Sequence, residues 1–169
     1  MRFSSLHHVG LIVKDLERSI DFYHRVLGLE FSNEPSPVFS GDELSRAVGI
    51  KGASLRQVSL LLGDTTIELL EYLTPEWPIR RAMPQYVTGA SHLALKVEDI
   101  HEAKRALEAK GLKFLSDVNV VDDGVLAGWR WVYFSDPDGY SLELVQVAYY
   151  NAEERTAGIA AYKKSRGWA

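Results

Sequence analysis

The stretch HHVGLIVKDLERSIDFYHRVLGLEF, residues 7–31, decides the fold. Residues 6–13 form an apolar run of strand length. Asp15 follows as a helix N-cap, because its short carboxylate can accept from backbone N–H groups that have no intrahelical partner. Leu16, Ile20, Tyr23 and Leu27 then recur at helical spacing, and Gly28 ends the helix. The same order returns in SHLALKVEDIHEAKRALEAKGLKF, residues 91–114. Laying His92 on His8 puts Leu95 on Leu11, Val97 on Val13 and Asp99, again a cap, on Asp15. Ile100, Ala103 and Leu107 carry the second apolar stripe, with Lys104 and Lys110 toward the helix end and Gly111 stopping it. Gly28-Leu29-Glu30-Phe31 and Gly111-Leu112-Lys113-Phe114 then match to within one residue of the same shift.

Working outward, the back halves echo each other. Residues 58–62, a Gly63-Asp64 turn and residues 66–72 read as a β-hairpin. Residues 129–134, an Asp136-Pro137-Asp138-Gly139 turn and residues 140–147 read as another. Each half is strand, helix and about three strands, a βαβββ unit used twice, which predicts an α+β fold. The organisation expected is one domain over 1–150, with module one at 5–73, a linker at 74–89 and module two at 90–147. A helical extension follows at 151–169.

Three stretches fall outside the repeat. Residues 33–54 carry Pro35, Pro37, Gly41, Gly49 and Gly52, with a short helix predicted over Asp42–Val48. The linker holds Pro75, Pro78 and Pro84. Residues 152–168 read as a basic helix with Tyr162 and Trp168, suited to a partner contact or to closing a cleft. Long loops beside a rigid sheet are where substrate contacts usually sit.

Composition narrows the function classes. Hydrophobic residues make up 46% and charged residues 25% of 169, which is a globular balance rather than a disordered one. Lys and Arg total 19 against 23 Asp and Glu, a formal charge of −4, which argues against a nucleic-acid surface. No apolar run reaches the roughly 20 residues of a membrane span, and the first residues lead straight into a strand. A cytoplasmic protein is the expectation. Cysteine is absent, so any metal must be held by imidazole and carboxylate.

Four residues stand out jointly. A lone His in a strand is usually structural, and a lone Glu in an alternating strand usually faces solvent. Yet each repeat places one His, His8 or His92, in its first strand and one Glu, Glu68 or Glu143, in its last. If the flanking leucines pack beneath the helices, all four share the opposite, concave side. Two carboxylates concentrated there repel one another, and a divalent cation resolves that cost. Two imidazoles and two carboxylates form a neutral site with a dication and suit Zn, Ni, Co, Mn or Fe. His7, by alternation, points to the face opposite His8 and reads as structural.

With the motifs GDTTIELLEYL at 63–73 and FSDPDGYSLELVQ at 134–146 added, the chain resembles the vicinal oxygen chelate superfamily. That family includes glyoxalase I, methylmalonyl-CoA epimerase, extradiol dioxygenases and fosfomycin-resistance proteins. The resemblance covers roughly residues 5–147. It implies two tandem βαβββ modules forming an open, incomplete barrel around one metal ion. The ligands carried over by position are His8, Glu68, His92 and Glu143. It also implies a homodimer.

The reaction so implied is that of a divalent-metal-dependent isomerase, epimerase or glyoxalase-like lyase. Such an enzyme removes a proton next to a carbonyl and stabilises the resulting enediolate by Lewis acidity. Glu143 or Glu68 would serve as the base. Gln57, Tyr72, Arg130 and Tyr133 are candidate substrate contacts, and alternation allows only one of Arg130 and Tyr133 to face the cleft. The epimerases it resembles carry an acid just ahead of the strand where this chain has Gly52-Ala53-Ser54-Leu55-Arg56-Gln57, which argues against methylmalonyl-CoA. The substrate expected is a small molecule with a carbonyl or vicinal oxygens. An extradiol-type Fe(II) dioxygenase is the alternative, with Glu68 as discriminator, because that chemistry needs two His and one carboxylate only. A transferase adding a thiol or water to an epoxide and a metal-free binding or resistance protein are the remaining classes.

Overall fold

The computed structural model describes residues 3–76, 83–148 and 152–168. The elements are β1 (His8–Ile12), α1 (Leu16–Ile20) continuing as a π-helix (Asp21–Val26), β2 (Phe39–Ser40), α2 (Asp42–Val48), β3 (Ser54–Leu62) and β4 (Thr65–Thr74). The second set is β5 (His92–Lys96), α3 (Ile100–Ala109), β6 (Asn119–Val120), β7 (Arg130–Ser135) and β8 (Ser141–Gln146), followed by α4 (Ala152–Ser165). The fold is α+β with two open four-stranded sheets, ordered β1-β4-β3-β2 and β5-β8-β7-β6. In each, the first strand pairs parallel with the last and the other pairs are antiparallel. The duplication extends to isolated bridges, Phe31 with Leu60 and Phe114 with Phe134.

Contacts divide the chain into two compact units, Met1–Pro84 with Asp136–Tyr140, and Gln85–Ser135 with Ser141–Ala169. In the first unit Leu11, Val58, Leu60, Ile67 and Leu69 are buried on one face of the sheet, with Leu16 and Tyr23 from the helix. Removing such side chains from water is the main favourable term, about 1.5–3 kcal/mol each. In the second unit Val132, Phe134, Leu142 and Leu144 line the equivalent face with Ile100 of α3. Alternation then leaves the neighbours of these residues within each strand on the opposite face of the sheet.

Helix entry is set as the sequence predicts. Asp15 accepts from the Arg18 N–H at 3.0 Å, and Asp99 accepts from the His101 and Glu102 N–H groups. The first helix departs from expectation in its middle. Of the predicted stripe Leu16 and Tyr23 are buried and Ile20 and Leu27 half-buried, while Ser19 and Phe22 are buried beside them. The π-helical segment, with its wider turn, begins at Asp21 and buries Phe22 beside Tyr23. Leu27 donates to the Phe22 carbonyl, and Gly28, at φ +81°, donates to His24.

The Asp136–Tyr140 turn is anchored within the first unit. The buried Tyr23 hydroxyl donates to Asp136 at 3.1 Å, while the Lys14 N–H and the Arg18 guanidinium both reach Asp138. The predicted linker lies partly outside the described residues, Pro78 included. α4 ends at Ser165, with the Tyr162 and Trp168 rings edge to face at 5.9 Å. Among the described residues no helix is long and apolar enough to cross a membrane.

Candidate active site

In the first unit, β1 and β4 align His8 with Thr66 and Gly10 with Glu68. His8 and Glu68 therefore stand two positions apart on the same face, away from Leu11 and Leu69. His8 Nε2 is 3.9 Å from Glu68 Oε2. A Cβ at Gly10 would sit 3.2 Å from Leu70 Cδ1, tighter than ordinary contact, and 3.8 Å from Glu68 Oε2, an ordinary van der Waals distance. The second unit repeats the arrangement. β5 and β8 align His92 with Ser141 and Ala94 with Glu143. His92 Nε2 lies 3.1 Å from Glu143 Oε2.

The sheet neighbours distinguish the halves. Across β3, Glu68 faces Ser59, and Gln57 faces Leu70 on the same side. Across β7, Glu143 faces Tyr133, and Trp131 faces Val145. The Tyr133 ring meets His92 edge to face at 5.3 Å and Trp131 at 5.4 Å. Burial first, then the Glu143 charge and a hydrogen bond to Glu143, push the Tyr133 hydroxyl above its ordinary value. Glu143 is also the more enclosed carboxylate, 13% exposed against 26% for Glu68.

The remaining expected contacts separate by face. Tyr72 pairs with Leu55 across from Gln57's strand and lies on the Glu68 side, as does Gln57. Among the described residues the Gln57 side-chain carbonyl oxygen is buried without a hydrogen-bond partner. Arg130 pairs with Gln146 and shares the helix-covered face with Val132 and Phe134, opposite Glu143. Of the two strand-β7 candidates, Tyr133 is the one beside the His–Glu pair.

His7 corrects the sequence reading. It precedes β1, so strand alternation does not orient it, and its Nδ1 is 2.8 Å from His8 Nδ1. Trp131 was missed, although the repeat offered a signal: it stands two positions before Tyr133, where the first module has Gln57 and Ser59.

Imidazole and carboxylate pairs of this kind suit a divalent cation. Ligands about 2.1 Å from a metal at right angles stand about 3 Å apart, near the 3.1 Å of His92 and Glu143. The His8–Glu68 pair is longer. Among the described residues no group of three or more His, Cys, Asp or Glu is close enough to hold a metal ion. Each unit thus brings together one His and one Glu.

Comparison with known proteins shows the family. The chain is 32% identical to a 2-epi-5-epi-valiolone epimerase from Actinomyces sp over 169 residues, covering 98% of this chain and 91% of that protein. It is 29% identical to the lactoylglutathione lyase of Escherichia coli O157:H7, covering 90% and 95%. A glyoxalase family protein of known structure from Bacillus cereus shares the fold with a TM-score of 0.70 at 22% identity, covering 87% and 96%. The epimerase and the lyase are named as enzymes, and a family model matches residues 5–144, so the chain belongs to the glyoxalase/bleomycin resistance protein/dioxygenase superfamily.

Proposed function

We propose that this protein is a divalent-metal-dependent epimerase or isomerase acting next to the carbonyl of a polyhydroxylated cyclic ketone such as 2-epi-5-epi-valiolone. The observation carrying the reading is the repeated strand register, which sets one His–Glu pair on the same face of each sheet. His8, Glu68, His92 and Glu143 would together hold one Zn, Ni, Co, Mn or Fe ion. Once bound, the cation supplies Lewis-acid polarisation of the ketone oxygen. A glutamate carboxylate accepts the proton from the adjacent carbon, as a general base within hydrogen-bond reach. Gln57 has a buried carbonyl oxygen in want of a donor, which a substrate hydroxyl provides. Tyr72 stands on the same face of that sheet and adds a polar contact. The similarity to the valiolone epimerase, over nearly the whole of both chains, supports the substrate class.

The lyase reading has its own support in the lactoylglutathione lyase similarity. The test is elemental analysis of protein purified without chelator, wild type against Glu68→Ala, followed by solvent deuterium incorporation into 2-epi-5-epi-valiolone. About one ion per chain, lost in the variant, with deuterium entering beside the ketone, is the expected result. Turnover of the methylglyoxal–glutathione hemithioacetal without exchange into the ketone would select the lyase. Tightly held iron that survives Glu68→Ala would select an oxygenase, and no metal under any loading condition would leave a binding protein. The functional protein is expected to be a homodimer working in the cytoplasm.

A further inference from the structure

The two sheets share a register around their His–Glu pairs but differ in what lines the open face beside them. In the first, Gln57 and Ser59 stand across from Leu70 and Glu68. In the second, the same places across from Val145 and Glu143 are held by Trp131 and Tyr133. The Tyr133 ring meets His92 at 5.3 Å and Trp131 at 5.4 Å, each edge to face, so three rings run in sequence away from the pair. Asn119, opposite Trp131 on β6, donates its side-chain amide to the Trp131 carbonyl at 3.3 Å and also to Ser116 and Asp117. The strand edge behind the indole is thereby tied down. By alternation Trp131 points away from the buried Val132, and it is only half-buried on that open side.

Resting on the function proposed above, we infer that Trp131 is a specificity-determining residue, whose indole receives the C–H face of a cyclic polyol ketone. A polyhydroxylated ring has two kinds of surface. Its hydroxyls seek hydrogen bonds, whereas the C–H bonds on its faces are weakly positive and pair with the negative face of an aromatic ring. Diagonal neighbours in an antiparallel pair stand about 7–8 Å apart, so a ring lying on Trp131 keeps a carbon of its rim within reach of Glu143. An open-chain ketone presents no such face and gains little from the indole.

The test measures KM and kcat of wild type, Trp131→Phe and Trp131→Leu with 2-epi-5-epi-valiolone, alongside saturation-transfer NMR from protein aromatic protons to the ring protons of that ketone. Trp131→Leu keeps apolar bulk without a π face and is expected to raise KM about 10-fold with kcat little changed. Trp131→Phe is expected to recover most of that loss, and saturation transfer to fall in Trp131→Leu but persist in Trp131→Phe. Equal KM in all three proteins, or an equal loss in both variants, would overturn the inference. Should Trp131→Leu not fold, the wild-type indole N–H resonance that disappears in Trp131→Phe decides: it is expected to shift when the ketone is added, and an unmoved resonance overturns the inference. A wild type that binds the ketone through Trp131 yet neither epimerises it nor exchanges its proton removes the proposed reaction and leaves the indole platform standing. Turnover of the ketone with KM untouched by Trp131→Leu does the reverse.

Discussion

His7 Nδ1 lies 2.8 Å from His8 Nδ1, with the two rings edge to face at 5.1 Å. One proton serves that contact. If His8 donates it, His8 keeps the lone pair on Nε2, the nitrogen that faces Glu68. A histidine whose second nitrogen is held in this way is fixed in tautomer and ring orientation. His7→Ala is therefore expected to weaken Co(II) binding about 10-fold or more, with His7→Gln, which can still accept, recovering part of the loss. Calorimetric titration checks both variants, and unchanged affinity in His7→Ala would make His7 a bystander.

Gln57 provides a case where stability and function should part. Its buried carbonyl oxygen lacks a partner, and burying an unpaired polar group costs about 1–3 kcal/mol. Gln57→Leu is expected to leave the urea midpoint unchanged or raise it, while KM for 2-epi-5-epi-valiolone rises about 10-fold. A fall in stability with unaltered KM would show the side chain to be structural.

Removing the Tyr23 hydroxyl tests the anchored turn. Burial pushes the Asp136 carboxyl up, opposed by the Tyr140 N–H, the Tyr23 hydroxyl and the Asp138 N–H. Tyr23→Phe deletes a donor to a largely enclosed carboxylate at 3.1 Å. A loss of about 1–3 kcal/mol in urea unfolding is expected. Equal stability of variant and wild type would mean that another donor replaces the phenol.

The cap of α3 predicts a pH dependence. The Glu102 and His101 N–H groups hold the Asp99 carboxyl below its ordinary value of 3.8. A folded-state value lower than the unfolded one gives stabilisation that is complete above 3.8 and lost as pH falls through the folded value. Asn caps through its carbonyl oxygen but carries no charge. Wild type is thus expected to melt above Asp99→Asn at neutral pH, with the gap closing as pH drops below 3.8. Melting curves at several pH values check this, and a constant gap would contradict it.

Much of the architecture was legible because periodicity and caps are local properties. Asp15 and Asp99 mark helix starts, the helix Asp42–Val48 has the predicted bounds, and the turns at Gly63 and Gly139 separate strands where expected. Less legible was the stripe of the first helix. Its sequence satisfies an α-helical period, and the π-helical turn that buries Phe22 beside Tyr23 is a response to packing. His7 was likewise opaque, since alternation holds only inside a strand and β1 begins one residue later.

Sequence alone determined that this chain folds as two βαβββ units and that each carries one His and one Glu at equivalent places. Those facts follow from a repeat of side-chain types, which any reader of the chain can align. Tertiary structure alone decided which atoms meet. The 3.1 Å approach of His92 to Glu143, and the flanking of that pair by Tyr133, depend on parallel and antiparallel registers between strands far apart in the chain. A shift of one residue in either pairing would turn those side chains to the other face, and the apolar side chains packed beneath each sheet oppose it.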